Sequence, residues 1–247
     1  MKMISAAKFA QAQKAIVPAR AYGVGAMSLY DKTTVPAEEN EKKVFVAISS
    51  DRGLCGALHS NLSRALKAEF EKETREDTKI ISVGEKSKVF FQTANSKDLL
   101  MEFKEVGRNP PTFVDCAFIA DQMLKSGFEF NSGKFFYNYF KSAMSQIIKE
   151  QPFYSVEGFS KSPSITVYDS IDEDVVQSYQ EFQLANAVFY TLKENYTSEQ
   201  GARMVSMDGA TKNAGEMIDR MSLLYNRTRQ AVITTELIEI ISGMTAL

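Results

Sequence analysis

The sequence predicts an α/β protein: a long antiparallel two-helix coiled coil, made by the N- and C-terminal helices, attached to a small central α/β domain. Three observations predict it. The chain keeps helical period from about Ser170 to about Ser242, with no proline after Pro163. The first 32 residues carry the same period in mostly small side chains. Between them, short β-branched runs alternate with amphipathic stretches. Charge follows the same division into 1–32, 40–168 and 170–247. Residues 1–32 hold five bases and one acid, and residues 201–247 hold five of each. The intervening stretch therefore carries −6 of a net charge of −2.

In the N-terminal segment, Met3, Ala7, Ala10, Lys14, Val17, Ala21, Val24 and Ser28 follow one another at steps of three and four. They are the expected seam of the first helix. Pro18 removes one backbone donor there and predicts a local kink, at about 3 kcal/mol.

Lys43–Ser50 (KVFVAISS) reads as a buried strand and Asp51–Gly56 (DRGLCG) as a turn. Leu54, Leu58, Leu62, Leu66 and Phe70 then recur every four residues, which predicts a helix. Lys79–Val83 is the next strand and Leu99–Val106 a third. Asn109-Pro110-Pro111 breaks the chain, and Phe113–Leu124 reads as a helix. Lys134–Ile148 opens with the β-rich FFYNYF, and its later part is open to a helical reading. Strand, helix, strand, helix in this order implies a parallel, Rossmann-like sheet with crossover helices. Asn95–Lys97 and Glu157–Ser164 are the loosest segments.

The C-terminal helix opens on a capping-box spacing, Ser170 with Glu173. A second such spacing, Thr197 with Gln200, predicts a break or bend. Its seam is Ala214, Met217, Met221, Leu224, Thr228, Ala231, Thr235, Ile238 and Ser242, four heptads of small residues that let two backbones approach closely. About 70 residues of helix reach roughly 110 Å, whereas about 30 reach roughly 45 Å. Part of the long helix therefore lacks a partner in its own chain, and its apolar faces point to other subunits. The plain alternative is a long helix lying on its own globular domain.

Composition narrows the chemistry. The 247 residues include two cysteines, one histidine and no tryptophan, with 44% hydrophobic and 24% charged side chains. That excludes a disulfide framework and Cys- or His-rich metal centres. No stretch approaches the roughly 18 apolar residues of a membrane span, and the start, MKMISAAKFAQAQK, does not read as a signal peptide. A near-neutral charge does not suggest nucleic acid. DRGLCG sits where a strand hands over to a helix, the usual phosphate position of α/β folds. It matches neither G-x-G-x-x-G nor the P-loop, so a tight turn is the simpler reading. Cys55 and His59, four apart, form a minimal candidate thiol–imidazole pair without an orienting carboxylate or amide. Met204, Met207, Met217 and Met221 read as flexible packing. Arg227-Thr228-Arg229-Gln230 lies beyond the reach of the short helix and offers charged and amide donors to a surrounding subunit, or a solvated face.

Four stretches, in this order, carry a resemblance: MKMISAAKFAQAQ, VPARAYGVGAMSLYDK, SSDRGLCGALHSNL, and SEQGARMVSMDGATKNAGEMIDRMSLLYNRTRQAVITTELIEIISG. Together they resemble the gamma-subunit family of F-type ATP synthases, its mitochondrial form above all. Residues 85–165 match loosely. The family's first helix normally carries further residues before the position of Met1, so the resemblance implies a truncated or shortened start.

The resemblance implies a non-catalytic central shaft of a rotary motor that couples proton flow to ATP synthesis or hydrolysis, without cofactor or nucleotide site. It implies as partners three alpha and three beta subunits around the coiled coil, small delta- or epsilon-type stalk subunits, and the membrane c-ring beneath. Arg229 and Gln230 would meet a catch loop of a beta subunit, and Met1 and Lys2 would pass beta's acidic lever. Ile240, Ile241, Met244 and Leu247 would sit in an apolar sleeve at the top of the ring. Met244 and Thr245 depart from the Ala-rich tip common in the family. The implied location is the matrix side of the mitochondrial inner membrane, or the cytoplasmic side of a bacterial plasma membrane. The rival readings are a static coiled-coil scaffold and an α/β enzyme using Cys55.

Overall fold

The computed structural model describes residues 1–32, 42–73, 77–94, 98–160 and 173–245. Among them the elements run α1 (Lys2–Lys32), β1 (Lys43–Ile48), α2 (Leu58–Phe70), β2 (Thr78–Val83), α3 (Glu85–Ala94), β3 (Leu99–Phe103), α4 (Phe113–Leu124), β4 (Ser132–Phe140), β5 (Gln146–Tyr154), α5 (Val156–Ser160) and α6 (Glu173–Thr245). Of the segments read as loose, Asn95–Lys97 and 161–164 lie outside the described residues, as do the cap residue Ser170 and Leu247, while 157–160 belong to helix α5.

The sheet has the order β3-β2-β1-β4-β5. β1, β2, β3 and β4 run parallel and β5 is an antiparallel edge strand. β1 is buried on both faces because crossover helices cover both. Phe45, Ala47, Ile80 and Phe136 meet Leu62, Leu66 and Phe70 of α2 and Phe91 of α3. The alternating residues Val44, Val46, Ile48, Phe135 and Tyr137 share the opposite core with Ile119 and Met123 of α4 and Leu184, Val188 and Leu192 of α6. The four-residue leucine stripe of α2 is buried as its spacing predicts, except that Leu54 is exposed in the preceding turn at φ 66°. α4 starts where predicted: Thr112 accepts from the Asp115 N–H at 3.4 Å and its own N–H donates to Asp115 Oδ2 at 3.0 Å, a capping box.

Three expectations are corrected. The stretch after FFYNYF is the edge strand β5, not a helix, because a tight connection at Ser142–Ser145 folds it back on β4. α6 does not break at Thr197. That residue sits in mid-helix, its hydroxyl donating to the Lys193 carbonyl at 3.0 Å. The third correction is the phase of α1. Its buried face is Ser5, Phe9, Ala12, Ile16, Ala19, Gly23 and Met27, while Met3, Val17 and Val24 of the predicted seam are 85%, 68% and 64% exposed. Both faces have heptad spacing. The one carrying Phe9, Ile16 and Met27 wins because it removes more apolar area from water.

α1 runs antiparallel to α6. Lys2 pairs with Asp208 at 2.5 Å at one end, and the Gln183 amide donates to the Ala26 carbonyl near the other. Helix α1 continues through Pro18. Gly23 packs against α6 where any side chain would clash: a Cβ there would lie 2.2 Å from the Tyr190 ring. Gly23→Ala should therefore lower stability by about 1–3 kcal/mol. Gly25→Ala, which meets nothing within 4 Å, should be neutral or gain up to about 1 kcal/mol. Denaturant unfolding of the two variants checks the contrast.

Candidate functional site

In doubly wound sheets, ligands bind outside the carboxyl ends of the strands where the strand order reverses. Here the order reverses between β1 and β4, and helix α6 lies across that point. Asn195 Nδ2 donates to the Ser49 carbonyl at 3.3 Å, just past β1. On β4, the Ser198 hydroxyl donates to the Asn138 carbonyl at 2.8 Å, and Asn138 Nδ2 donates to Asn195 Oδ1 at 2.9 Å. The place a nucleotide would take is filled by the chain's own helix.

Two ion pairs with fully buried carboxylates hold α6 there. Glu194, with no exposed side-chain surface, accepts from Arg20 of α1 at 2.9 Å and from the Phe140 N–H at 3.0 Å. The same guanidinium donates to the Phe140 carbonyl. One turn and a residue further on, Glu199 pairs with Arg203, and Arg203 Nε donates to the Gly53 carbonyl at 3.2 Å. This second pair ties α6 to the DRGLCG turn. That turn is a structural joint: Leu54 and Gly56 adopt φ 66° and 62°, and Asp51 Oδ1 accepts from the Glu85 N–H at 2.7 Å, at the start of α3. From Glu194 to Gly201 every residue of α6 is buried, between α1, α4 and the sheet.

Beyond Asp208 the helix projects alone. Every residue from Gly209 to Thr245 is exposed, about 55 Å of helix with no neighbour among the described residues. The predicted seam from Ala214 to Ser242 thus meets no partner among the described residues. Thirteen large apolar side chains, from Met217 to Met244, are about half or more exposed and lie all round the circumference. A helix apolar on every side belongs in an interior. Arg229 and Gln230 are exposed on this segment, the Arg229 guanidinium 6.0 Å from the Tyr225 ring. Ile240, Ile241 and Met244 are 60%, 59% and 73% exposed, and Met1 is 82% exposed. Lys2 is half-exposed while engaged with Asp208.

The Cys55–His59 pair does not assemble. Helix α2 begins at Leu58, so Cys55 lies outside it. The Cys55 thiol and His59 Nε2 both face the Arg52 carbonyl, at 3.9 and 3.2 Å. Burial pushes the thiol up to about 11 and the imidazole down to about 4, the reverse of a thiolate–imidazolium pair. Among the described residues no cluster of three or more His, Cys, Asp or Glu could hold a metal ion, and no helix is long and apolar enough to cross a membrane.

The family model described as ATP synthase matches residues 1–247. The mitochondrial ATP synthase F(1) complex subunit gamma of Rattus norvegicus is 48% identical over 250 residues, spanning 100% of this chain and 92% of that protein. The mitochondrial ATP synthase subunit gamma of Drosophila melanogaster is 49% identical over 249 residues, spanning 100% and 84%. The chain belongs to the ATP synthase gamma-subunit family. A gamma chain is a non-catalytic subunit, in keeping with a switch point closed by α6 and a buried, protonated Cys55. Its fold matches the central stalk of the Tetrahymena thermophila mitochondrial ATP synthase, solved with its c-ring, with TM-score 0.73 and 25% identity over 85% of this chain and 97% of that one. The rotor of the Euglena gracilis enzyme shares the fold with TM-score 0.76 and 22% identity over 94% and 91%.

Sequence reasoning singled out the exposed residues of this gamma chain and missed the buried grip of Arg20, Glu194, Glu199 and Arg203. The available signal was charge placed among otherwise apolar or small positions of two predicted helices. Two outcomes are expected. Removing Glu194 leaves Arg20 uncompensated, so Glu194→Ala should cost about 2–3 kcal/mol, and the paired Arg20→Met/Glu194→Leu change less, in denaturant unfolding. Cys55 and Cys116, whose thiols burial pushes up to about 11 and about 12, should resist a thiol reagent at pH 8 in the folded chain and react once it is unfolded.

Proposed function

We propose that this gamma chain is the rotating shaft of a mitochondrial ATP synthase, on the matrix side of the inner membrane, coupling proton flow to ATP synthesis and hydrolysis. In this reading it has three parts: 1–32 and 170–247 form the shaft, and 40–168 the globular body. The projecting segment 209–245 stands inside a ring of three alpha and three beta subunits. The globular body rests on the c-ring beside the small stalk subunits. The observation that carries the reading is the all-round apolar, unpartnered helix beyond Asp208. Only an enclosing sleeve buries all sides of such a helix at once.

In this account Arg229 and Gln230 engage the catch loop of one catalytic beta subunit, Met1 and Lys2 pass beta's acidic lever, and Ile240, Ile241, Met244 and Leu247 turn within the sleeve. A single asymmetric shaft touches each catalytic subunit differently, and so biases each among its open and closed states. Swinging one such equilibrium from 1:99 to 99:1 takes about 5.5 kcal/mol of differential contact, within reach of a few charged and apolar contacts. No cofactor enters this role.

Arg229→Ala with Gln230→Ala removes bonds worth about 1.5–3 kcal/mol where a charged group is involved. In reconstituted complexes of matched subunit content, ATP hydrolysis and synthesis should slow, or assembly weaken. Wild-type values of both would refute the catch assignment. The separate chain should not bind ATP, and a micromolar affinity by calorimetry would contradict the closed switch point.

A further inference from the structure

We infer that Met217, Met221 and Met244, on the projecting part of α6, form an oxidation site: hydrogen peroxide converts them to sulfoxides in the unassembled chain, and a chain so altered is held out of the ring until they are reduced. This rests on the shaft reading, in which segment 209–245 is enclosed by other subunits. The three side chains are 61%, 59% and 73% exposed, whereas Met27 and Met123 in the core are 2% and 1% exposed. A thioether is oxidised where the oxidant reaches its sulfur. The chain therefore carries reactive methionines on the shaft and shielded ones in the body.

Met217 and Met221, four residues apart, share one hollow on the helix surface with Ala214, Ile218 and Tyr225. They also lie in the heptad seam, whose other large apolar side chains are Leu224 and Ile238. The rest of that seam is Ala, Thr and Ser, which suits close approach and leaves little room for an added atom. Met244 follows Ile240 and Ile241 at steps of four and three, near the end of α6.

The chemistry is simple. The sulfur lone pair attacks one peroxide oxygen and the O–O bond breaks. The departing hydroxide takes the proton of the transferred oxygen and leaves as water, so each sulfur loses two electrons and the peroxide gains them. The product is polar and chiral, with an acceptor oxygen on a side chain that was apolar. On the free chain that oxygen is hydrated and costs little. Within an apolar sleeve it loses its water without gaining a donor, so oxidation disfavours only the assembled state. Once assembled, the ring shields the sulfurs, so the site acts before assembly and not after it.

The full chain, separate and in the assembled complex, is treated with hydrogen peroxide, and sulfoxide at each methionine is followed by mass spectrometry. In the separate chain Met217, Met221 and Met244 should oxidise at least about 10-fold faster than Met27 and Met123; equal rates would overturn the site. Oxidation as fast in the complex as in the separate chain would overturn the enclosure, and the shaft reading with it. The oxidised chain should need roughly 10-fold more alpha and beta subunits for half-assembly than the reduced chain. Methionine sulfoxide reductases should restore the reduced value. With Met217→Leu, Met221→Leu and Met244→Leu combined, a swap that keeps apolar volume, peroxide should shift half-assembly by less than about twofold. Unchanged assembly of the oxidised wild-type chain, no restoration by the reductases, or an equal loss in the triple variant would each overturn the oxidation site; protection of the three sulfurs in the complex would leave the shaft reading standing. The reductase arm needs no variant and decides the matter if the substitutions disturb folding.

Discussion

Glu194 is where this structure is joined. Its carboxylate, without exposed surface, binds the Arg20 guanidinium from α1 and the Phe140 N–H from β4 at once. The same arginine returns to the Phe140 carbonyl, closing a small network among three elements. Hydrogen bonding by Glu194 holds the Arg20 guanidinium above its usual range against the opposing cost of burial. A buried charge is costly unless paired, so the three elements share one register, and a slip of either helix breaks the network. Glu199 and Arg203 repeat the device one turn and a residue further on and attach the DRGLCG turn. A long helix fastened this way cannot turn independently of its globular body, which is the first requirement of a shaft.

The second requirement is a surface for the surroundings to act on. Up to Asp208 the helix spends its apolar side chains on α1, α4 and the sheet, and beyond it on nothing among the described residues. Long helices draw most of their stability from packing. Gly209, Gly215 and Gly243 weaken the projecting part further, each by about 1 kcal/mol relative to alanine. A segment with that composition is built to be completed by another molecule. The same α6 that leaves the body to project also lies across the switch point, bonded to the ends of β1 and β4.

Much of the fold was legible because the decisive signals were local. The runs KVFVAI and TKIISV, the leucine stripe of α2 and the exact span of α4 all follow from period and capping. The misses were tertiary. α1 carries two heptad faces, and only the partner chooses between them. The bulk of Phe9, Ile16 and Met27 was the clue, and the small residues of the other face outweighed it. β5 reads ambiguously because its polar positions are supported by pairing with β4 on one edge only. α3 is a short helix whose start is set by a residue 34 positions earlier, Asp51. In the candidate site Arg229 and Gln230 were legible from their position beyond the short helix, whereas Met1, Lys2, Ile240, Ile241 and Met244 came from the family resemblance. The buried ion pairs were not, since Arg20 and Glu194 meet across 174 residues of chain.

The central claim is that one helix has two environments, fixed within its own chain up to Asp208 and completed only by a surrounding ring beyond it. Amide hydrogen exchange of the chain alone and in the assembled complex tests this most directly. The account predicts slow exchange over 183–203 in both states, and over 209–245 fast exchange alone and slow exchange in the complex. Equal protection of 209–245 in the two states would contradict it.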